Sequence, residues 1–262
     1  PSTFHWEGLQ TAYVAAGDVT AAAELDVQSE LPARVFLSGI QVEAADAGVV
    51  VALGDSITDG AASTPGRDHR WPDFLARRLA AENLAVVNAG ISGGRVLRDR
   101  MGVNALARFD RDVLSQPKVQ AVIVLIGIND ISWHGTPFAP DDAPVGAEEL
   151  IAGYRQLIAR ARARGVRIVG ATLTPFEGAL PDTPIAGYFS PQKEDVRQAV
   201  NRWIRESGEF DTIVDFDALV RDPARPSRFL PIYDSGDHLH PGDAGYRAMA
   251  DAIDSALLRT PR

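Results

Sequence analysis

Short apolar runs alternate with longer amphipathic stretches along the chain from about Gly48 to its end. The runs are rich in Val, Ile and Leu, and their nearly continuous apolar character is typical of parallel strands that are covered on both faces. Five of them are predicted to be strands: Val49 to Leu53, Val86 to Asn88, Val119 to Ile126, Val166 to Leu173 and Thr212 to Phe216. Because a strand precedes a helical stretch in each unit, we predict an α/β protein, a three-layer α/β/α sandwich around a five-stranded parallel sheet.

The stretches between the strands have apolar residues at the three- and four-residue spacing of a helix that packs on a sheet. Five predicted helices carry such stripes: Phe74, Leu75 and Leu79; Leu106, Phe109 and Val113; Leu150, Tyr154, Leu157 and Ile158; Val196, Val200, Trp203 and Ile204; and Met249, Ile253 and Leu257. Pro241 and Asp243 lie where the last helix is predicted to begin, because a proline is tolerated and an acid is favoured near the first turn.

Residues 1–46 follow a different pattern, with β-prone pieces at Leu9 to Val14 and Arg34 to Val42 and no helical stripe. One or two hairpins are rarely stable alone in water, so this segment must pack on the main domain, on upstream sequence or on a second chain. We favour upstream sequence: residues 1–46 are predicted to end an accessory β-sandwich domain, and residues 47–262 to form the main domain. Since the chain starts at Pro1 without a leader, we expect a processed or cut end.

Composition narrows the class of protein. The chain has 262 residues, of which 45% are apolar and 23% charged, and a core of that size needs neither disulfide nor metal. The net charge of -9 argues against nucleic acid as a partner. No apolar run approaches the roughly 20 residues of a membrane-spanning helix. The absence of cysteine excludes a thiolate nucleophile and leaves the compartment open.

Four short motifs carry the candidate chemistry: Gly54-Asp55-Ser56-Ile57-Thr58, Ile91-Ser92-Gly93, Gly127-Ile128-Asn129-Asp130 and Asp237-His238-Leu239-His240-Pro241. Ser56 directly follows the first predicted strand, and ligands of open α/β sheets bind at the carboxyl ends of strands. A serine hydroxyl needs a base to take its proton, and the base must itself be oriented. We predict His240 as the base and Asp237 as its partner. A serine that only caps the next helix is the competing interpretation.

Other histidines and a metal site are alternatives for the last motif. His5, His69, His134 and His238 are rivals for the base, but only His240 is followed by proline and preceded at three residues by Asp. His238 and His240, with Asp234, Asp237 and Asp243, also have the residue types of a zinc site. We favour the hydrolytic interpretation because it accounts for motifs more than a hundred residues away.

Attack on an ester places negative charge on the carbonyl oxygen, so hydrogen-bond donors are needed there. The backbone N–H groups of Ser56 and Gly93 and the side-chain amide of Asn129 are the candidate oxyanion-hole donors. Turn formation is the competing explanation for Gly93-Gly94 and for Asn129-Asp130. Asp55 is expected to shape its turn, and Asp130 to brace a neighbouring loop.

These residues resemble the blocks of the SGNH hydrolases, also called GDSL esterases and lipases, over about Val49 to Leu258. The resemblance implies a flavodoxin-like sandwich, a catalytic set of Ser56, Asp237 and His240, an oxyanion hole of Ser56, Gly93 and Asn129, two-step acyl transfer and no cofactor. The absence of a Gly-x-Ser-x-Gly motif argues against the α/β-hydrolase elbow. Residues 1–46 lie outside the family pattern and are similar to the end of the β-sandwich of some secreted bacterial members.

The substrate is the least determined part. Aromatic residues suit both sugar faces and acyl chains, and the candidate substrate-binding residues are Trp71, Trp133, Phe176 and Tyr188, with Phe189 and Tyr233 as further rim candidates. Packing in the core is the competing interpretation for each. Without a long apolar lid segment we expect short-acyl, acetyl esters, on carbohydrate if a β domain is attached.

Several alternatives stay open at this point. Within the family they are a lipase, a lysophospholipase or a thioesterase; outside it they are a non-catalytic carbohydrate-binding module and an interaction protein. Expected partners are the ester substrate and an upstream β domain or second chain packed on residues 1–46. We expect a secreted protein, with a cytoplasmic location as the alternative.

Overall fold

The computed structural model describes residues 8–32, 39–44 and 46–259. Its strands, numbered in chain order, are β1 (Ala12–Val14), β2 (Ser29–Leu31), β3 (Gly48–Gly54), β4 (Leu84–Gly90), β5 (Val119–Leu125), β6 (Arg167–Ala171), β7 (Thr212–Val214), β8 (Arg221–Asp222) and β9 (Arg225–Phe229). Its helices are α1 (Ser56–Asp59), α2 (Trp71–Leu79), α3 (Ala105–Phe109), α4 (Ile128–Ser132), α5 (Ala147–Ala163), α6 (Pro191–Glu206), α7 (Phe216–Val220) and α8 (Asp243–Asp251).

The main sheet has five parallel strands in the order β4-β3-β5-β6-β7, which confirms the predicted five-stranded parallel sheet. Val51 on β3 lies opposite Val87 on β4 and Val122 on β5. This is the flavodoxin-like strand order, and the order reverses beside β3. Ligands of such sheets bind at the reversal, beyond the carboxyl ends of the strands. The segments that follow β3, β4 and β5 therefore meet at the expected place for a site.

Helices cover the sheet on both faces, which completes the predicted three-layer sandwich. On one side α2 packs against α8 and α8 against α7, and on the other α5 packs against α3 and α6. The apolar stripes that predicted these helices point into the core, where Leu75, Leu157 and Val200 are fully buried. Because both faces of the strands meet helices, Val50 to Leu53 are buried without alternation.

The ends of some predicted elements differ, and side-chain hydrogen bonds explain the differences. β6 stops at Ala171 rather than Leu173, because the Leu173 N–H donates to the Asn201 side chain, 2.7 Å away, instead of to a neighbouring strand. β7 stops at Val214, since Asp215 caps α7.

Two predicted helices are also shorter than their apolar stripes. α8 begins at Asp243 as expected but ends at Asp251, and Asp254 caps a separate 3-10 turn, Ser255–Leu258, so that Ile253 lies between the two. The stripe Leu106, Phe109 and Val113 belongs to α3 and to the π turn Asp110–Leu114 that follows it.

The described part of the amino-terminal segment forms its own small sheet. β1 pairs with β2 in antiparallel fashion and with no strand of the main sheet. Strand β1 covers the end of the predicted piece Leu9 to Val14, whereas much of Arg34 to Val42 lies outside the described residues. Tyr13 and Ile40 are exposed, the latter by 83%. That residues 1–46 end an accessory domain stays a prediction. None of the described helices combines the length and apolar character needed to cross a bilayer.

Candidate active site

Ser56 lies just beyond the carboxyl end of strand β3, as the first residue of α1. The helix is capped by the preceding residue: the Asp55 side chain accepts a hydrogen bond from the Ile57 N–H at 3.1 Å. Ser56 is therefore not the capping residue that the competing interpretation required. Its side chain is nearly buried, with 7% of the residue exposed, and its hydroxyl is directed to the loop before α8.

The loop before α8 brings His240 to Ser56 although the two residues are 184 positions apart. His240 Nε2 lies 2.8 Å from Ser56 Oγ, and His240 Nδ1 lies 2.6 Å from Asp237 Oδ2. The loop is held by the Ser235 N–H, which donates to the His240 carbonyl at 3.1 Å, and by the Leu180 N–H, which donates to the Asp237 carbonyl at 2.7 Å. The structure thus joins the three predicted catalytic residues in one hydrogen-bonded chain.

The Asp237 carboxylate is oriented by two further donors. Its Oδ1 accepts the N–H groups of Leu239 and His240, at 2.9 and 2.8 Å. Partial burial opposes its ionisation, but the hydrogen bond to His240, the charge of that ring and the two N–H groups hold the pKa of Asp237 well below its ordinary value. The carboxylate therefore stays charged and fixes a proton on His240 Nδ1. Nε2 is then the nitrogen that can accept the Ser56 proton.

The candidate oxyanion donors come from the neighbouring strand ends. Gly93 follows β4, and Asn129 lies in α4 just after β5. Ser92 donates its N–H to Asp59 in α1, and Gly94 accepts from Asn129 Nδ2 at 3.0 Å, so Gly93 lies between a contact to α1 and a contact to Asn129. None of the described residues accepts a hydrogen bond from the N–H of Ser56 or Gly93.

Position 93 requires glycine for two reasons. Its φ of +69° is a left-handed conformation, and a Cβ there would lie 2.5 Å from Met101 Sδ and 2.8 Å from the Trp133 ring. Both the left-handed turn and the close packing against Met101 and Trp133 therefore require glycine at this position. Because glycine has no side chain, its backbone N–H can approach a substrate oxygen closely.

The four aromatic residues predicted to contact the substrate do not form an open rim. Trp71 is buried in the main core, where its ring packs on Phe216. Trp133, Phe176 and Tyr188 belong to a second buried cluster, whose other members are Ile128, Ala139 and Leu239. The four side chains are therefore core residues in this structure, and their contact with a substrate stays a prediction. Phe189 and Tyr233 are only partly buried.

Two buried carboxylic acids lie close to the hydrogen-bonded chain. Burial raises the pKa of Asp55 to about 7, against the opposing effect of the Ile57 N–H and the charge of His240. Burial likewise raises the pKa of Asp130 to about 6, against its hydrogen bonds from the N–H groups of Val96 and Leu97. Asp130 holds the loop after Gly93 in place through these two bonds, at 2.7 and 3.0 Å.

The raised pKa of Asp55 predicts a pH-dependent stability. Between about pH 4 and about pH 7 the folded chain binds more protons at Asp55 than the unfolded chain, so this contribution to stability is lost as the pH rises through that window. Across this window we expect the free energy of unfolding of wild type to fall by about 2–4 kcal/mol more than that of Asp55→Asn. The size follows from about 1.4 kcal/mol per unit of pKa difference between the folded and unfolded chain. Urea unfolding at about pH 4 and about pH 8 measures this difference. Exposed Asp141→Asn is the control, and parallel profiles for Asp55→Asn and wild type would contradict the prediction.

The residues of the alternative metal site separate into different pairs. His238 pairs with Asp234, His240 with Asp237, and Asp243 with His69 and Thr64. Within the ranges described, no group of three or more His, Cys, Asp or Glu is arranged to hold a metal ion. Of the other histidines considered as the base, His69 is hydrogen-bonded to Asp243 and His238 to Asp234. His5 lies outside the described residues.

Some contacts of the site were not visible in the sequence motifs. Tyr188, in the segment between β6 and α6, donates its hydroxyl to Asn129 Oδ1 at 2.7 Å. Lys193, on α6, donates to the carbonyls of Ser132, His134 and Gly187, at 2.6, 3.1 and 2.6 Å. Neither residue lies in a motif, and a lysine at the start of a helix with a polar face gives no signal of burial.

Comparison with known proteins agrees with this architecture. A profile of the GDSL-like Lipase/Acylhydrolase family matches residues 52–248. Among solved structures, an alpha/beta hydrolase enzyme from the metagenome of Lake Arreo, Spain, superimposes with a TM-score of 0.57 at 24% identity, over 81% of this chain and 96% of that chain. The acetyl xylan esterase AlAXEase superimposes with a TM-score of 0.56 at 21% identity, over 79% and 98%.

A GDSL-like lipase from Bacteroides thetaiotaomicron VPI-5482 superimposes with a TM-score of 0.55 at 18% identity, over 80% of this chain and 87% of that chain. At these identities the structural similarity shows the fold alone. No curated protein matches the chain significantly. The family profile begins within the strand that precedes Ser56 and continues past His240 into α8, and on that ground the chain belongs to the GDSL-like Lipase/Acylhydrolase family of hydrolases.

Proposed function

We propose that the protein is a serine esterase that cleaves short-acyl, acetyl esters by two-step acyl transfer through Ser56, His240 and Asp237. The observation that carries the proposal is the continuous chain from Asp237 through His240 to Ser56, at 2.6 and 2.8 Å. A capping serine or a surface histidine would not require this chain.

The proposed reaction balances with the chain's own groups. Ser56 Oγ bonds to the ester carbonyl carbon while its proton moves to His240 Nε2, and Asp237 stabilises the resulting imidazolium. The N–H groups of Ser56 and Gly93 and the Asn129 amide hold the oxyanion. His240 then gives its proton to the departing alcohol, and water repeats the sequence in reverse to release the acid and restore Ser56.

The oxyanion role of Asn129 predicts a loss of turnover without unfolding. Asn129→Ala removes one donor, and such a loss lowers kcat by about 10²- to 10³-fold. The matched control is Asn201→Ala, because Asn201 is also buried and its side chain bonds the Leu173 backbone outside the site. The control should lose stability but keep its turnover per folded molecule. Steady-state kinetics with a nitrophenyl ester measures both variants, and an unchanged kcat in Asn129→Ala would contradict the assignment.

The preference for a short acyl group is supported by the pattern of the chain, which has no long apolar lid segment, and by the similarity of the fold to AlAXEase. A polymeric carbohydrate as the alcohol part is the finer proposal. Nitrophenyl esters from the acetate to the dodecanoate, followed by release of acetate from acetylated xylan, test both parts. The highest kcat/KM is expected for the acetate. A preference for long acyl chains would favour the lipase or lysophospholipase alternative, and faster cleavage of a thioester the thioesterase.

A further inference from the structure

Asn129 has a second neighbour whose role the proposed mechanism does not include. Tyr188 lies in the segment that joins β6 to α6, and its hydroxyl donates to Asn129 Oδ1 at 2.7 Å. Both residues are almost fully buried, at 2% and 3% exposure. The bond joins side chains 59 positions apart, so the segment before α6 reaches the same amide that the proposed oxyanion hole uses.

Two contacts together determine how the Asn129 amide is turned. The Gly94 carbonyl can only accept, so the Asn129 nitrogen must face it, and it does so at 3.0 Å. The amide oxygen then faces the Tyr188 hydroxyl, which must donate. One Nδ2 hydrogen is used by Gly94, and the second is left to point away from that carbonyl. Because the nitrogen and the oxygen of the Asn129 amide are both hydrogen-bonded, the direction of this second hydrogen is fixed.

The Tyr188 hydroxyl is a permanent donor. Burial raises its pKa well above the ordinary value of tyrosine, and the nearby charge of Asp55 acts in the same direction. The phenol is therefore protonated at neutral pH and can donate to Asn129. Its ring is held by edge-on packing against Phe176, with ring centres 6.3 Å apart.

The loop that carries Tyr188 is attached to the helix that carries Asn129. Lys193 Nζ donates to the carbonyl of Gly187, next to Tyr188, and to the carbonyl of Ser132, at the end of α4, both at 2.6 Å. One buried ammonium group thus holds the two backbones that the Tyr188–Asn129 bond joins. The distance between the hydroxyl and the amide is set by this attachment as well as by the bond itself.

We propose that Tyr188 is a positioning residue that orients the Asn129 amide toward the developing oxyanion. The proposal rests on the proposed function, because it requires Asn129 to act as an oxyanion donor. Tyr188 touches no reacting atom and acts through the direction of the second Nδ2 hydrogen. Without the hydroxyl the amide can rotate about its last torsion and lose that direction.

Tyr188→Phe keeps the ring and its packing but removes the donor. We expect kcat to fall about 10-fold, because a misdirected donor stabilises the transition state less, with KM within about twofold of wild type. The rate of labelling by a fluorophosphonate should fall in parallel, since its phosphoryl oxygen occupies the same hole. The control is Tyr246→Phe, a buried tyrosine whose hydroxyl donates to the Ala61 carbonyl. Tyr246→Phe should lower the melting temperature by an amount similar to that caused by Tyr188→Phe, but it should leave kcat unchanged.

A double-mutant cycle separates positioning from general stability. In an Asn129→Ala background, Tyr188→Phe should change kcat by less than about twofold, because the group that it orients is absent. A full 10-fold further loss would overturn the proposal, as would an unchanged kcat in Tyr188→Phe alone while Asn129→Ala is impaired. If Asn129→Ala itself keeps full turnover, the proposed oxyanion hole is wrong, and the role of Tyr188 fails with it.

Discussion

Ser56→Ala is expected to lower kcat by about 10⁵- to 10⁶-fold, because the nucleophile of a serine hydrolase cannot be replaced by any other group of the site. The methyl group keeps the volume of the side chain and leaves Asp55 as the cap of α1, so the fold should be retained. The variant removes only the hydroxyl that lies 2.8 Å from His240 Nε2. Nitrophenyl acetate hydrolysis measures the loss.

Covalent labelling makes this expectation specific to one hydroxyl. A fluorophosphonate should modify wild type at Ser56 and should leave Ser56→Ala unlabelled, which mass spectrometry of the intact chain detects. Ser63→Ala is the matched control, since Ser63 is also buried and its hydroxyl donates to the Gly60 carbonyl at 2.7 Å. Labelling elsewhere, or substantial turnover by Ser56→Ala, would end the proposed mechanism. Failure of wild type to react would favour the binding-module alternative instead.

Asp237→Asn is expected to lower kcat by about 10⁴-fold while the fold is kept. The reason lies in the two N–H groups of Leu239 and His240 that donate to Asp237 Oδ1. They force an asparagine to place its oxygen there and its NH₂ group against His240 Nδ1. The ring then carries its proton on Nε2, so that Nε2 cannot accept the proton of Ser56.

The same loop contains a control of nearly the same geometry. Asp234 Oδ1 accepts the N–H groups of Gly236 and His238, and Asp234 Oδ2 contacts His238 Nδ1 at 2.5 Å. The His238 side chain is 46% exposed, and Ser56 Oγ contacts the ring of His240 instead. Asp234→Asn should therefore keep its kcat within about threefold, because Asp234 orients a ring that takes no part in the reaction. Equal losses in the two variants would show that the loop, and not the tautomer of His240, is responsible.

The motifs identified Ser56, Gly93, Asn129, Asp237 and His240 because each combines residue types that one reaction needs, and the pattern of apolar runs placed the first three after strands. That inference is local, since a strand end and its turn are encoded within about ten residues. The strand order was implied only by the resemblance to the SGNH hydrolases, because the single hand of βαβ units does not determine where the order reverses.

The aromatic residues show what such reasoning does not decide. From the sequence, Trp71 and Trp133 could equally line a substrate-binding rim or pack in the hydrophobic core. The residue type shows that the ring is apolar but does not show which side chains contact it. Tyr188 is predicted to contact the substrate, and the structure shows that its hydroxyl donates to Asn129. Lysine side chains are usually solvated, yet Lys193 is buried against three carbonyls, those of α4, of the turn after it and of the loop before α6.

The sequence by itself determined the sheet, its covering helices and the identity of the groups that can react, because these depend on periodicity and on side-chain chemistry. Only the tertiary structure decided that His240 reaches Ser56 across 184 positions, that Asp55 rather than Ser56 caps α1, and that Tyr188 and Gly94 turn the Asn129 amide. Distances and directions between side chains far apart in the chain arise from packing. Packing is a property of the whole fold, and no short window of residues contains it.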